Sequence, residues 1–236
     1  MIDNDLLKDL KQDINKAHHI AFLTGAGVST HSGIPDYRSK NGIYQGVSQS
    51  PEQLLSDETL YHQPEAFYQF VMKNMYFPKA QPNSIHQKIA QLCNEKGDLI
   101  TQNVDGLDKK AGNEHVIEFH GDLYDIYCTT CGQKFSYDEY AKHMRHEKDN
   151  GIIRPGIVLY GEPIDQKRLY ASVAAVQSSD VIIISGTSFV VYPFAQLLAY
   201  RQQNAKVWIL NNTPLAQQPD EVKAIIADAR DVFSQL

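Results

Sequence analysis

The residue best placed to move a proton in this 236-residue chain is His120, followed at once by Gly121 and preceded by the apolar-rich run Val116 to Phe119. An unperturbed imidazole titrates near ~6.5, which suits a general base. A histidine at such a place can equally be a satisfied core or cap residue. Upstream lies Gln102-Asn103-Val104-Asp105-Gly106. Asn103 and Asp105 offer a polar pair to a ligand, or serve only as turn formers before glycine. Nearer the start, Thr24-Gly25-Ala26-Gly27 ends an apolar run, and a polar loop then brings Asp36, Tyr37 and Arg38 consecutively. Glycines after a buried strand let backbone N–H groups approach a phosphate, though two of them can also mark just a tight turn. The turn departs from the hydride-transfer fingerprint. Val28-Ser29-Thr30 supplies no third glycine, and no acidic residue marks a ribose-binding strand end about 20 residues on. Cys128-x2-Cys131 is half of a metal signature, and the remaining cysteine is Cys93. A structural zinc takes four ligands.

These groups must be positioned by strands and helices. Leu6, Leu7, Leu10, Ile14 and Ala17 fall at helical spacing, so the chain opens with an amphipathic helix. Ile20 to Thr24 reads as a buried strand. Residues 51 to 77 read as short helices interrupted by Pro51, Pro64 and Pro78. A helix capped by Asn83 or Ser84 follows, then short strands at Asp98 to Thr101 and Val116 to Phe119. Residues 124 to 154 change character and read as an insertion. The rhythm resumes with a helix from Asp165 to Gln177, a strand from Asp180 to Ser185 and the turn Gly186-Thr187-Ser188. A helix from Pro193 to Gln203, a strand from Lys206 to Leu210 ending at Asn211, and a last helix from Pro219 to Ala227 complete the reading. The alternation predicts an α/β fold with a doubly wound parallel sheet. In such sheets ligands lie beyond the carboxyl ends of the strands. Gly25 to Gly27, Gln102-Asn103, His120, Gly186 to Ser188 and Asn211 all follow strand ends, so they converge on one crevice.

The formal net charge of −6 argues against a nucleic-acid binder that works by bulk electrostatics. The acidic N-terminus lacks the pattern of a secretory signal, and no apolar run approaches the ~20 residues of a membrane span. A cytoplasmic protein without membrane or nucleic-acid partners is expected, and the three cysteines do not suggest a disulfide framework.

Six stretches in order, GAGVSTHSGIPDYR, TQNVDGLDKKAG, EFHG, CTTC, RPGIVLYGE and GTSFVVYP, resemble the sirtuin family of NAD-dependent protein deacylases, bacterial type, over roughly residues 5 to 233. The resemblance implies one catalytic domain. Its Rossmann-like large part would take residues 1–31, 79–123 and 155–236, with a helical module at 32–78 and a zinc-ribbon-like module at 124–154. It also implies site roles. Gly25, Ala26 and Gly27 would meet the NAD pyrophosphate, and Asp36, Tyr37 and Arg38 would belong to a cofactor loop near the nicotinamide. Gln102 would hold the nicotinamide ribose, while Asn103 and Asp105 would line the nicotinamide pocket. His120 would be the base. Gly186, Thr187 and Ser188 would meet phosphate and adenosine ribose, and Asn211 and Ala229 would flank the adenosine. Val158, Tyr160, Gly161 and Glu162 would form one side of a peptide channel and Val190 the other. The implied activity removes acetyl or other uncharged acyl groups from protein lysines, releasing nicotinamide and O-acyl-ADP-ribose. Mono-ADP-ribosyl transfer at the same site, or a non-catalytic NAD-sensing module, are the alternatives.

The chain departs from the family pattern in places. Tyr37 stands for the usual Phe, and Val104 for the usual Ile. The second CxxC is missing; at its place stand His146 and Asp149 with the same x2 spacing, and His143 lies nearby. Cys128, Cys131, His146 and Asp149 would make a mixed zinc site, or the site has decayed and these residues lie on a charged surface helix. The Tyr-x-x-Arg associated with acidic acyl groups reads Tyr68-Gln69-Phe70-Val71. Tyr68 would face the acyl group, and the missing cation predicts an uncharged acyl substrate.

Overall fold

The computed structural model describes residues 2–36, 50–216 and 221–236. Helix α1 (Asn4–Lys16) starts where the Asp3 side chain accepts the N–H groups of Asp5 and Leu6, and it buries Leu7, Leu10 and Ile14. Strand β1 (Ile20–Thr24) is buried along its whole length. Three short helices follow, α2 (Pro51–Leu54), α3 (Asp57–His62) and α4 (Pro64–Asn74). Pro51 and Pro64 begin helices, where a missing N–H costs nothing. Helix α5 (Ser84–Lys96) is capped by Asn83 and leads into β2 (Gly97–Thr101). Next come α6 (Leu107–Lys110), β3 (Val116–Glu118), β4 (Gly121–Cys128), β5 (Lys134–Phe135), α7 (Tyr137–Tyr140) and β6 (Ile153–Ile157). The chain closes with α8 (Gln166–Ser178), β7 (Val181–Ser185), a tight 3₁₀ helix (Phe194–Tyr200), β8 (Lys206–Asn211), β9 (Val222–Ile226) and α9 (Ala229–Phe233).

Six strands form one parallel sheet in the order β3-β2-β1-β7-β8-β9. This is the doubly wound, Rossmann-like order, and it reverses between β1 and β7. Thr24 pairs with Ser185 at that point, so the turns beginning at Gly25 and Gly186 open side by side. One face of the sheet packs on α1, α5 and α9 through Leu10, Ile14, Ile85, Ile89, Val232 and Phe233. The other face packs on α8 and the 3₁₀ helix through Val176, Phe194 and Leu197.

A second, antiparallel sheet has the order β5-β4-β6. Leu123, Ile126, Ile153 and Ile157 of this sheet share one core with Leu60, Phe67, Phe70 and Val71 of the short helices. The two stretches are far apart in sequence, yet they form one small module. Among the described residues no helix is long and apolar enough to cross a membrane.

Two elements differ from the sequence reading. Of the last helix expected from Pro219 to Ala227, residues 219 and 220 lie outside the described residues, and Val222–Ile226 is instead strand β9, followed by α9. Val222, Ile225 and Ile226 satisfy helical spacing, but these β-branched residues extend the sheet in register, Val207 opposite Val222 through Asn211 opposite Ile226. The helix expected from Pro193 to Gln203 is a 3₁₀ helix that stops at Tyr200, because Arg201 adopts an extended backbone.

Candidate active site

The floor of the site is the pair of glycine turns at the switch point. The Gly27 N–H donates to the Gly186 carbonyl at 2.8 Å, and the Gly25 N–H to the Ser185 carbonyl at 3.2 Å. A Cβ on Gly27 would stand 2.7 Å from the Gly186 Cα, so backbone touches backbone there. Asn211, at the end of β8, clamps the second turn from both sides: its Oδ1 accepts the Gly186 N–H at 2.6 Å, and its Nδ2 donates to the Thr187 carbonyl at 2.8 Å. The Thr187 hydroxyl donates to Gln102 Oε1 at 2.8 Å, tying this turn to the loop after β2. Ser188 is exposed beside it.

That loop carries the next groups. Asn103 is buried; its N–H donates to Thr101 Oγ1 at 3.1 Å and its Nδ2 to Ser29 Oγ at 3.2 Å. Ser29 donates to Asp105 Oδ2 at 2.7 Å, and His86 Nε2 lies 3.3 Å from Ser29 Oγ. The His86 tautomer follows from its other side. Nδ1 receives the Asn83 N–H at 3.2 Å, so Nε2 carries the proton and donates to Ser29. Burial pushes the His86 pKa down to about 4, which keeps it neutral. Burial also raises the Asp105 pKa, against the opposing pull of the Leu107 N–H and the Ser29 hydroxyl. Ala26, Ser29, Ile34, Pro35, Asn103 and Asp105 line one small cavity, together with Met75 and Phe77.

His120 sits at the mouth of the same crevice. Its ring is flanked by Phe119 and Phe194, with centroids 5.3 and 6.4 Å away. Desolvation lowers its pKa, although its N–H donates to the Gln102 backbone, which works the other way. The imidazole is therefore mostly neutral at pH 7, with one ring nitrogen engaged and the other without a partner among the described residues. The His120 carbonyl accepts the Val158 N–H at 2.9 Å, so the base and the segment after β6 are built on one another.

That segment is tied to the helical part of the small module. The Tyr160 N–H donates to the Leu55 carbonyl at 2.8 Å, and the Asp57 N–H to the Tyr160 carbonyl at 3.0 Å. Gly161 has a left-handed backbone, φ +95, with the Asp57 carboxylate packed where a Cβ would stand. Glu162 does not face outward. Its carboxylate pairs with the buried Arg154 guanidinium and accepts the Leu159 N–H at 2.9 Å. Burial opposes its ionisation, but Arg154 and that N–H outweigh burial and lower its pKa. Val190 and Tyr192 are 41 % and 64 % exposed.

Some expected residues fall elsewhere. The Tyr68 hydroxyl donates to the carbonyls of Tyr140 and Ala141, both at 3.0 Å, so it ties helix α4 to the antiparallel part of the module rather than pointing into the cleft. Ala229 opens α9 with its side chain in the core. Asp36 is the last described residue before the loop, and Tyr37 and Arg38 lie outside the described residues. Ser29, His86 and Thr101 were not singled out from sequence. The one signal was the spacing of Asn83 and His86, which form a capping box.

The remaining cluster is the metal candidate. One donor atom each from Cys128, Cys131, His146 and Asp149 lies within 4.8 Å of all the others. Cys128 Sγ is 3.4 Å from Asp149 Oδ1, Cys131 Sγ is 3.5 Å from His146 Nδ1, and His146 Nδ1 is 3.0 Å from Asp149 Oδ1. Tetrahedral zinc with bonds of about 2.0–2.3 Å separates its donors by about 3.3–3.8 Å; the two sulfur distances fall in that range and the His146–Asp149 contact is shorter, so the donor set suits that ion after a small side-chain adjustment. The Thr130 N–H points at Cys128 Sγ at 3.4 Å, and a Cβ on Gly151 would collide with that sulfur at 2.5 Å. The segment around His146 is a series of turns rather than the charged helix of the decayed-site reading, and the exposed His143 stays outside the cluster.

A switch-point crevice with two glycine turns, a buried amide–carboxylate pair and a neutral histidine at its mouth defines a dinucleotide-binding α/β enzyme with an inserted small module. The chain belongs to the Sir2 family, which it matches over residues 25–193. It is 47 % identical over 231 residues to an NAD-dependent protein deacetylase of Listeria monocytogenes serotype 4b, covering 98 % of this chain and all of that one. A solved Sir2 enzyme superposes with a TM-score of 0.88 at 30 % identity, covering 99 % of this chain and 96 % of its own. A Sir2 variant solved with a deacetylated p53 peptide and 3′-O-acetyl-ADP-ribose gives 0.87 at 31 % identity, covering 97 % and 96 %.

Proposed function

We propose that this chain is an NAD-dependent protein deacetylase acting on acetyl-lysine. The observation that carries this reading is the neutral His120 imidazole at the mouth of the crevice formed by the two glycine turns and the Asn103–Asp105 pair. A module that merely sensed NAD would need no base there.

NAD bound in the crevice would supply the ADP-ribosyl group that takes up the acyl group, with its nicotinamide as the leaving group. Gly25 to Gly27 and Gly186 to Ser188 hold the phosphates and adenosine ribose, with Asn211 fixing the second turn. Gln102 holds the nicotinamide ribose. Asn103 and Asp105, fixed by Ser29 and His86, hold the nicotinamide end. His120 accepts a proton from a ribose hydroxyl through its other ring nitrogen. The balance is acyl-lysine, NAD and water in; lysine, nicotinamide and O-acyl-ADP-ribose out. No electron is transferred. The peptide lies as an added strand between Val158 to Gly161 and Val190, a reading supported by the uncovered Val190 and Tyr192.

Val71, at the place where a cation would meet an acidic acyl group, is buried in the small core. A succinyl carboxylate would go unpaired, so acetyl and other uncharged acyl groups are the substrates. Mass spectrometry of products from NAD with acetyl- and succinyl-lysine peptides tests this. Free lysine peptide and O-acetyl-ADP-ribose from the acetyl peptide are expected. ADP-ribose left on protein would favour the transferase reading, and faster desuccinylation would overturn the acyl preference.

A further inference from the structure

Asp108 lies on α6, directly after the loop that carries Gln102, Asn103 and Asp105. It is 3 % exposed, and its side chain is hydrogen-bonded to that of Thr101. Thr101 ends β2. Its hydroxyl accepts from Thr24 Oγ1 at 3.0 Å and from the Asn103 N–H at 3.1 Å. A hydroxyl has two lone pairs and one proton. With both lone pairs engaged, the Thr101 proton goes to Asp108. The carboxyl therefore sets the rotor and keeps that proton away from the two donors Thr101 must receive. Without it the proton is free to turn to Thr24 Oγ1, and the Asn103 N–H loses a directed acceptor.

The other oxygen of Asp108 is buried with no hydrogen-bond partner among the described residues. Burial raises its pKa, and the nearby carboxyls of Asp105 and Glu118 raise it further. A half-satisfied carboxyl is a poor choice for packing alone, since a leucine would fill the space without desolvating a polar atom. The proposed chemistry uses no atom of Asp108.

We infer that Asp108 is a positioning residue for the nicotinamide end of the cleft: it locks the Thr101 hydroxyl, and Thr101 holds the backbone of Asn103. This rests on the proposed cleavage of NAD at that end. Exchange of labelled nicotinamide into NAD, in the presence of acetyl-lysine peptide, reads the nicotinamide pocket directly. Asp108→Leu lowers the exchange rate about 10- to 100-fold and weakens nicotinamide inhibition in parallel. The KM for acetyl-lysine peptide stays within about twofold. Asp108→Asn keeps an acceptor for Thr101 and retains most of the exchange. Thr101→Val removes the same link from its other end and reproduces the Asp108→Leu pattern, which keeps the test decisive if that variant does not fold. Wild-type exchange in folded Asp108→Leu or Thr101→Val overturns the inference, as does a loss in Asp108→Asn as large as in Asp108→Leu. A wild-type protein that releases no nicotinamide overturns the function itself, which separates the two failures.

Discussion

His86 is fully buried and His120 half-buried in one site, and their surroundings give them opposite work. His120 has one ring nitrogen on the Gln102 backbone and the other without a partner among the described residues, so it can take a proton. His86 has both nitrogens committed, to Asn83 and Ser29, so it can only hold others in place. Replacing His120 by alanine should lower deacetylation roughly 10²–10⁴-fold with little change in NAD affinity, read by steady-state kinetics and NAD titration. The buried titrating groups also set the pH dependence of stability. His86 falls from 6.5 to about 4 in the folded protein, so the unfolded chain binds more protons between those values and stability is lost as pH falls through that window. Asp108 rises from 3.8 to about 8, so the folded protein holds the extra proton and stability is lost as pH rises through that window. From about 4 to 6.5 the Asp108 slope is opposed by His86 and by His120, whose pKa is also lowered. From 6.5 to 8 the histidines no longer oppose it, and Asp108 should cost about 1.4 kcal/mol of stability per pH unit. Urea denaturation near pH 5, 6.5 and 8 measures this, and Asp108→Asn should flatten the upper half. His120 was legible from sequence because a strand end and a glycine bracket it. His86 was not, because Ser29, and through it Asn103, meets it only once β1, β2 and α5 are packed.

Among the elements, the central strands were readable and the edge was not. β1 and β7 are buried on both faces, so their sequences are continuous apolar runs. β9 is an edge strand: Ile225 meets one core and Val222 and Ala224 the other, while Lys223 and Ile226 are exposed. The Lys223 ammonium lies 5.1 Å from the Trp208 ring centroid, and such a mixed pattern imitates a helix. The glycine turns are tighter than a phosphate loop alone demands, because β1 and β7 bring two of them together. Gly27→Ala would drive a Cβ into the Gly186 backbone, and it should raise the KM for NAD roughly 10- to 100-fold while the KM for peptide holds. Helix α4 carries a second constraint. Val71 is fully buried, so an arginine there would be an unpaired charge in the small core. Val71→Arg should lose at least about 3 kcal/mol of stability rather than gain desuccinylase activity, as denaturation and a succinyl-peptide assay would show.

For the molecule as a whole, the small module is the part whose order depends on something besides the large sheet. Its two stretches of chain share one core, in which Tyr140 and Phe67 are fully buried. Tyr68 links helix α4 to the backbone at Tyr140 and Ala141, so the helical part and the three-stranded sheet are coupled. The same helical part anchors Tyr160 through Leu55 and Asp57, which places the proposed peptide channel at the end of this chain of contacts. The four metal donors lie at the outer end of it, beyond β4. They come from two turns that are separated in sequence and joined in space, so an ion held there closes the loop between β4 and β6. Purified protein should therefore carry about one zinc per chain. Stripping it with a chelator should lower the Tm by roughly 5 °C, about 2 kcal/mol for a chain of this size. The KM for acetyl-lysine peptide should rise, while NAD affinity, built on the large sheet, should hold. Cys128→Ala should abolish zinc retention, and His146→Ala should weaken it. Metal analysis after exposure to excess zinc gives the decisive reading: protein that is folded and active yet retains none would show that Cys128, Cys131, His146 and Asp149 hold the ribbon by their own hydrogen bonds.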